Sequence, residues 1–229
     1  MKKLLCGFLC VAASAALAVD SEVATVDVTA VSSPLTNTIV AISVLDLSTG
    51  GNLAISNLVE TSNLKAGDKL YAFDNGRYEC WTLSAGKIWT KSDNYTVGSD
   101  GNLAVSEGAE ASATVLPVGK GIWLYRQDPA ASNPFYVYGA HSESKSVTIS
   151  ATSLVGNPTQ GNKYPTITGC VSSDQIAVPT NGTLKRHTYI GTGWRAGGVT
   201  SSNPPAIDAG TGFWYVIPTN SAHSVTISW

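Results

Sequence analysis

Few residues in this chain are equipped for covalent catalysis. A nucleophile, base and acid relay needs an imidazole, and the only histidines are His141, His187 and His223. His141 and His223 lie in serine-flanked segments, and His187 falls on a hairpin strand. None belongs to a string such as Gly-x-Ser-x-Gly. A glycoside hydrolase would need two carboxylates, which are often distant in sequence. Asp68 and Asp174 recur in matching contexts, yet each precedes a strand at the point where an aspartate bonds its own turn. Asp93, Asp100 and Asp128 would be oxygen ligands for calcium, but they lack the alternating Asp/Asn string of a calcium loop. Cys80 and Cys170 stand far apart, with no paired-histidine spacing for zinc. Gly119-x-Gly121 and Gly210-x-Gly212 imitate a phosphate cradle, but an apolar strand follows each where a nucleotide loop needs a helix. The sequence therefore predicts no catalytic residue, no metal and no cofactor.

Aromatic side chains offer the better chemistry, because the C–H face of a pyranose packs on a flat apolar ring. Asn75-Gly76 is a two-residue hairpin turn. It sets Asp74 opposite Arg77, Ala72 opposite Glu79 and Leu70 opposite Trp81. One hairpin face then carries Asp74, Arg77, Glu79 and Trp81, and the other Tyr71, Phe73, Tyr78 and Cys80. The more polar face is expected to meet solvent, which makes Trp81 a candidate sugar platform beside Asp74, Arg77 and Glu79. Leu70 on that face speaks for core instead. Tyr136 and Tyr138 are further aromatic candidates.

The elements that must carry these residues are strands. Charged residues make up only 13% of the chain, and no stretch beyond residue 18 sustains a helical apolar period. Strands are expected on both sides of Asn75-Gly76 and of Asn181-Gly182. The apolar runs 122–127 and 213–217 read as strands covered on both faces.

Self-similarity organises them. Asp68-Lys69-Leu70 matches Asp174-Gln175-Ile176, Asn75-Gly76 matches Asn181-Gly182, and Trp89 matches Trp194. Val118-Gly119-Lys120-Gly121-Ile122-Trp123-Leu124 matches Ala209-Gly210-Thr211-Gly212-Phe213-Trp214-Tyr215. Thr38-Ile39-Val40-Ala41 matches Ser153-Leu154-Val155-Gly156, and Ser146-Val147-Thr148-Ile149-Ser150 reappears as Ser224-Val225-Thr226-Ile227-Ser228. The fold expected is all-β: two tandem related antiparallel modules, sandwich- or barrel-like, over 19–145 and 146–229, with a pseudo-two-fold relation. A surface-loop insertion is expected at about 93–114. Tryptophans kept in both copies (Trp89, Trp123, Trp194 and Trp214) point to packing rather than recognition.

Residues 1–18 read as a signal peptide, with Lys2 and Lys3, a short apolar run and Ala16-Leu17-Ala18. The protein is thus expected to be exported to the periplasm, cell surface or medium, with no transmembrane segment after cleavage. Losing two lysines takes the formal charge from −2 to −4, and an acidic chain with no basic run is a poor partner for nucleic acid. Export leaves Cys80 and Cys170 two fates. They either pair, closing a loop of roughly 90 residues worth about 4 to 5 kcal/mol in the chain-entropy picture, or stay as separate buried thiols.

Gly67-Asp68-Lys69-Leu70-Tyr71, Leu154-Val155-Gly156-Asn157-Pro158 and the 117–123 segment Pro117-Val118-Gly119-Lys120-Gly121-Ile122-Trp123 resemble an uncharacterised family. Its members are exported two-repeat β-proteins of Verrucomicrobia- and Lentisphaerae-type bacteria. The first copy departs from it, with Val40-Ala41-Ile42-Ser43 where Asn-Pro belongs. The resemblance implies location and architecture, and no activity. The function expected is a non-enzymatic structural, cell-surface or interaction role. A carbohydrate-binding module engaging a glycan or other cell-surface component is the alternative, and a glycoside hydrolase the distant third.

Overall fold

The computed structural model describes residues 24–28, 37–41, 52–59, 61–91, 95–97, 103–105, 110–126, 135–139, 144–159, 163–180 and 183–229. The expected signal peptide lies outside these residues, as do His141, Asp93, Asp100, Asp128 and the Asn181-Gly182 turn.

The first half runs β1 (Ala24–Val28), β2 (Asn37–Ala41), β3 (Asn52–Ala54), the single helical turn α1 (Ile55–Leu58), β4 (Lys69–Asp74) and β5 (Arg77–Leu83). It continues with β6 (Trp89–Lys91), β7 (Tyr95–Val97), β8 (Leu103–Val105), β9 (Val115–Pro117), β10 (Gly121–Tyr125) and β11 (Phe135–Gly139). The second half holds β12 (Ser146–Ile149), β13 (Ser153–Gly156), β14 (Thr166–Thr168), β15 (Gln175–Thr180) and β16 (Thr183–Tyr189). Then come β17 (Trp194–Ala196), β18 (Val199–Ser201), β19 (Gly212–Val216) and β20 (Val225–Ser228). The protein is all-β and every strand pair is antiparallel.

Two main sheets dominate. The first has five strands in the order β2-β10-β4-β5-β6, and the second has six in the order β13-β19-β15-β16-β17-β18. The correspondence extends to register. Trp123 faces Tyr71, which faces Cys80, while Trp214 faces Ala177, which faces Arg186. Thr38 faces Leu124 as Ser153 faces Tyr215. The matching segments 146–150 and 224–228 stand differently from their reading as corresponding positions in two copies. They are neighbours in one three-stranded sheet, β12-β20-β14, with Ser146 opposite Ser228.

Alternation decides what each sheet buries. In the first, Leu70, Ala72, Trp81, Leu83, Trp89, Ile122 and Leu124 point into a core closed by Ile55, Leu58, Leu64 and Leu116. In the second, Ile176, Trp194, Phe213 and Tyr215 meet Ile149, Val225 and Ile227 from the three-stranded sheet. The buried Trp89 and Trp194 are packing residues. Within the segment 93–114, β7 pairs with β8. At its end, the Ala111 amide donates to the Trp89 carbonyl (2.8 Å) and the Ala111 side chain joins the core. A small apolar residue at the exit of the segment pins it back onto the sheet.

The first hairpin forms in the register the sequence predicts. Asn75 (φ 47°) and Gly76 (φ 80°) supply the two left-handed residues that a tight antiparallel turn requires. Thr180 likewise faces Thr183 in the second hairpin. Asp68 and Asp174 are turn formers. Each accepts from the amide three residues back, Lys65 at 2.8 Å and Val171 at 3.1 Å. Each also uses its own carbonyl to receive the far strand's amide, from Leu83 and Tyr189 at 2.8 Å.

The halves are joined at the glycine-rich turn before β10. The Gly119 carbonyl accepts from the Gly156 amide at 2.8 Å. A Cβ at Gly121 would lie 2.7 Å from Leu154 Cγ and 3.0 Å from the Leu154 backbone, so glycine there permits close backbone approach, as at other strand glycines. The hairpin tip latches across the same junction. The Asn75 amide donates to Ser153 Oγ (3.0 Å), and Asn75 Oδ1 accepts from the Ser150 amide (3.1 Å). Contacts are reciprocal, with β10 against β13 and β19 against β2.

Candidate functional site

Trp81 is no platform. It is fully buried, 0% exposed. One face of the hairpin changes character along its length: Leu70 and Trp81 are buried at the base, buried Ala72 stands opposite the half-exposed Glu79, and Asp74 and Arg77 lie at the tip. The polar tip residues therefore say nothing about where the base points. Nor are the two carboxylates free to receive a sugar. Lys120 Nζ lies 3.4 Å from Asp74 Oδ2 and 3.2 Å from Glu79 Oε2, and Lys91 lies 3.6 Å from Glu79 Oε1. Such half-exposed pairs contribute about 0 to 1 kcal/mol each. Arg77 is exposed at the tip, opposite Asp74.

The other face of the same sheet holds the aromatic site. Tyr71, Tyr78, Trp123 and Tyr125 line an open cleft of about 190 Å³. Tyr78 is 57% exposed and Tyr125 37%. Three strands supply these residues, and strand pairing fixes them: Trp123 faces Tyr71 across β10 and β4, and Phe73 faces Tyr78 across β4 and β5. Burial of the Tyr71 phenol, followed by the neighbouring Cys80 thiol and Tyr125, pushes its pKa above the usual tyrosine value. Tyr71 stands opposite Cys80 across β4 and β5.

The second half buttresses the cleft through one residue. Trp214 packs on Phe73 with ring centroids 5.1 Å apart, on Trp123 at 6.1 Å and on Tyr78 at 6.5 Å. Such ring pairs contribute about 0.5 to 1.5 kcal/mol each beyond their burial. Phe73 and Tyr78 meet edge to face at 4.3 Å. The walls of the cleft are therefore held from both halves, while Tyr78 and Tyr125 stay accessible.

Cys80 and Cys170 do not form a disulfide. Cys80 is buried in the first sheet under Tyr71, whereas Cys170 lies in the turn before β15 in the second half, against the Tyr189 hydroxyl. Burial pushes the Cys170 thiol up, and it stays protonated.

A second polar cluster surrounds Asp174, which is wholly buried. Its Oδ2 accepts from the Tyr215 hydroxyl at 2.9 Å and lies 2.9 Å from His223 Nε2. Ser221 Oγ is 3.1 Å from His223 Nδ1, which makes a Ser, His and Asp string. Nδ1 also faces the Ser221 carbonyl at 3.2 Å. The string clamps the β19–β20 connection onto the turn before β15. His187 occupies the rung of Trp81, opposite Ile176; burial and Lys185 lower its pKa. Tyr136 and Tyr138 lie on β11, opposite Asp27 and Thr25. Among the described residues no group of three or more His, Cys, Asp or Glu is placed to hold a metal ion, and no helix is long and apolar enough to cross a membrane.

No family model, curated protein or solved structure matches this chain. The resemblance to exported two-repeat proteins therefore rests on its motifs.

The aromatic cleft was within reach of the sequence. Aliphatic Leu70, Ala72, Ile122 and Leu124 alternate with aromatic Tyr71, Phe73, Trp123 and Tyr125. Sorting aliphatic from aromatic rather than apolar from polar assigns the aliphatic set to the core.

Proposed function

We propose that this chain is an exported, non-catalytic interaction protein that engages a cell-surface component through the aromatic cleft on its first sheet. The observation that carries this reading is the exposure of Tyr78 and Tyr125 beside the half-buried Tyr71 and Trp123. Soluble chains seldom leave aromatics clustered in water without a partner to cover them, and Tyr and Trp are the side chains that dominate contact energies. Asp174 is wholly buried and ties its own turn, which supports a structural role for its contact with His223, and the resemblance to exported proteins points to an exported setting. The test is retention of the purified protein on envelope material from the producing cells. Wild type is expected to be retained and a Tyr78→Ser/Tyr125→Ser variant to wash through. Equal retention of the two would refute the reading.

A further inference from the structure

Resting on the reading of the cleft as the contact point, we infer that its ligand is a neutral glycan, seated by a single pyranose ring. Three properties of the cleft select that chemistry. Its volume, about 190 Å³, is smaller than the roughly 300 to 1,000 Å³ of sites that enclose drug-sized molecules, so one ring enters and the rest of a chain stays outside. No charged side chain lines it; Lys69, opposite Tyr125, stands at its margin, and one marginal ammonium falls short of the arginine fork that favours phosphates and carboxylates. The lining is nevertheless more than an apolar wall. Tyr78 and Tyr125 line it with exposed phenols, and a phenol both donates and accepts.

A ligand matching this lining must present an apolar face and a rim of hydroxyls at once. A purely aliphatic partner would strand the phenols, and a purely polar one would waste the rings. A pyranose satisfies both: its C–H face lies on the indole and phenol rings, and its equatorial hydroxyls meet the tyrosine hydroxyls at the edge. Pre-organisation favours binding further. Trp123 and Tyr78 are both packed by Trp214, so less side-chain freedom is lost when the ring docks.

The corresponding rungs of the second sheet bear Ala177, Leu184 and Val216 in place of Tyr71, Tyr78 and Tyr125. The protein therefore takes one ring per chain.

Calorimetric titration of the protein with soluble neutral xylan, β-glucan and mannan tests this, in parallel with Tyr78→Ala, Tyr125→Ala and the second-sheet control Leu184→Ala. At least one glycan is expected to bind with one site per chain. Affinity should fall about tenfold or more in both tyrosine variants and hold in the control. Exposed tyrosines tolerate truncation, so folding is preserved. A neutral glycan that binds equally well to all variants would overturn the inference. So would no glycan binding at all, and two controls then separate the failures. If an uncharged aromatic peptide, or a second copy of the chain, binds in a Tyr78-dependent way, the contact reading survives and the sugar falls. If neither does, both fall.

Discussion

The two main sheets of this protein share strand order and register, yet equivalent rungs carry residues of different character. Where the first has Leu70 facing Trp81, the second has Ile176 facing His187; where the first has Trp123, Tyr71 and Cys80 in one row, the second has Trp214, Ala177 and Arg186. Residues kept at both places do architectural work. Asp68 and Asp174 tie the same turn, Trp89 and Trp194 fill the same part of the core, and Trp123 and Trp214 meet at the junction. Residues that differ (Tyr71, Tyr78 and Tyr125) join the kept Trp123 to make an aromatic cleft in the first sheet. A common scaffold constrains the rungs that hold it together and leaves the outward rungs free to acquire a surface.

The sharpest way to break this comparison is at the shared core rung. Trp81→Ala removes a fully buried indole and should cost about 3 to 5 kcal/mol in urea unfolding. His187→Ala, at the half-buried equivalent, should cost under about 1 kcal/mol. Equal costs would mean that the two rungs are not buried as described.

The junction gives a smaller effect. Gly121→Ala drives a methyl into Leu154 Cγ and into the Leu154 and Val155 backbone, and overpacking of this kind costs about 1 to 3 kcal/mol. Because Trp214 and Phe73 lie across the same junction, near-ultraviolet dichroism should change with it. A silent substitution would show that the halves do not press together there.

Alkaline pH sharpens the comparison with a gentler slope. Burial raises the phenol pKa of Tyr71 in the first sheet, and burial together with Asp174 raises that of Tyr215 in the second. In the unfolded chain both phenols ionise near about 10. Their contribution is therefore fully present below that pH and is lost as pH rises through the higher folded values. Stability should decline above about pH 10, and Tyr71→Phe and Tyr215→Phe should each flatten the decline. An unchanged slope in either variant would place that phenol in water.

Much of the architecture was legible in the residues. Asn75-Gly76 fixed the hairpin register because left-handed backbone is costly for almost anything else. The paired aspartates announced their turns. Burial of Trp81 is not legible from Asp74, Arg77 and Glu79, because the face turns to core within a single rung, where buried Ala72 stands opposite half-exposed Glu79. Ion pairing of Asp74 and Glu79 with Lys120 was not legible, since it joins strands that only the folded sheet brings together. The same holds for Trp214, which shapes a cleft in the other half of the chain. Separation of Cys80 from Cys170 is likewise a fact of tertiary placement.

The decisive measurement is nuclear magnetic resonance mapping of the protein titrated with fragments of a soluble neutral glycan. A single saturable set of shifts centred on Tyr71, Tyr78, Tyr125 and the Trp123 indole, with Ala177, Leu184 and Val216 unmoved, is the result expected. Shifts centred on the second sheet instead, or no saturable shift with any neutral glycan, would contradict it.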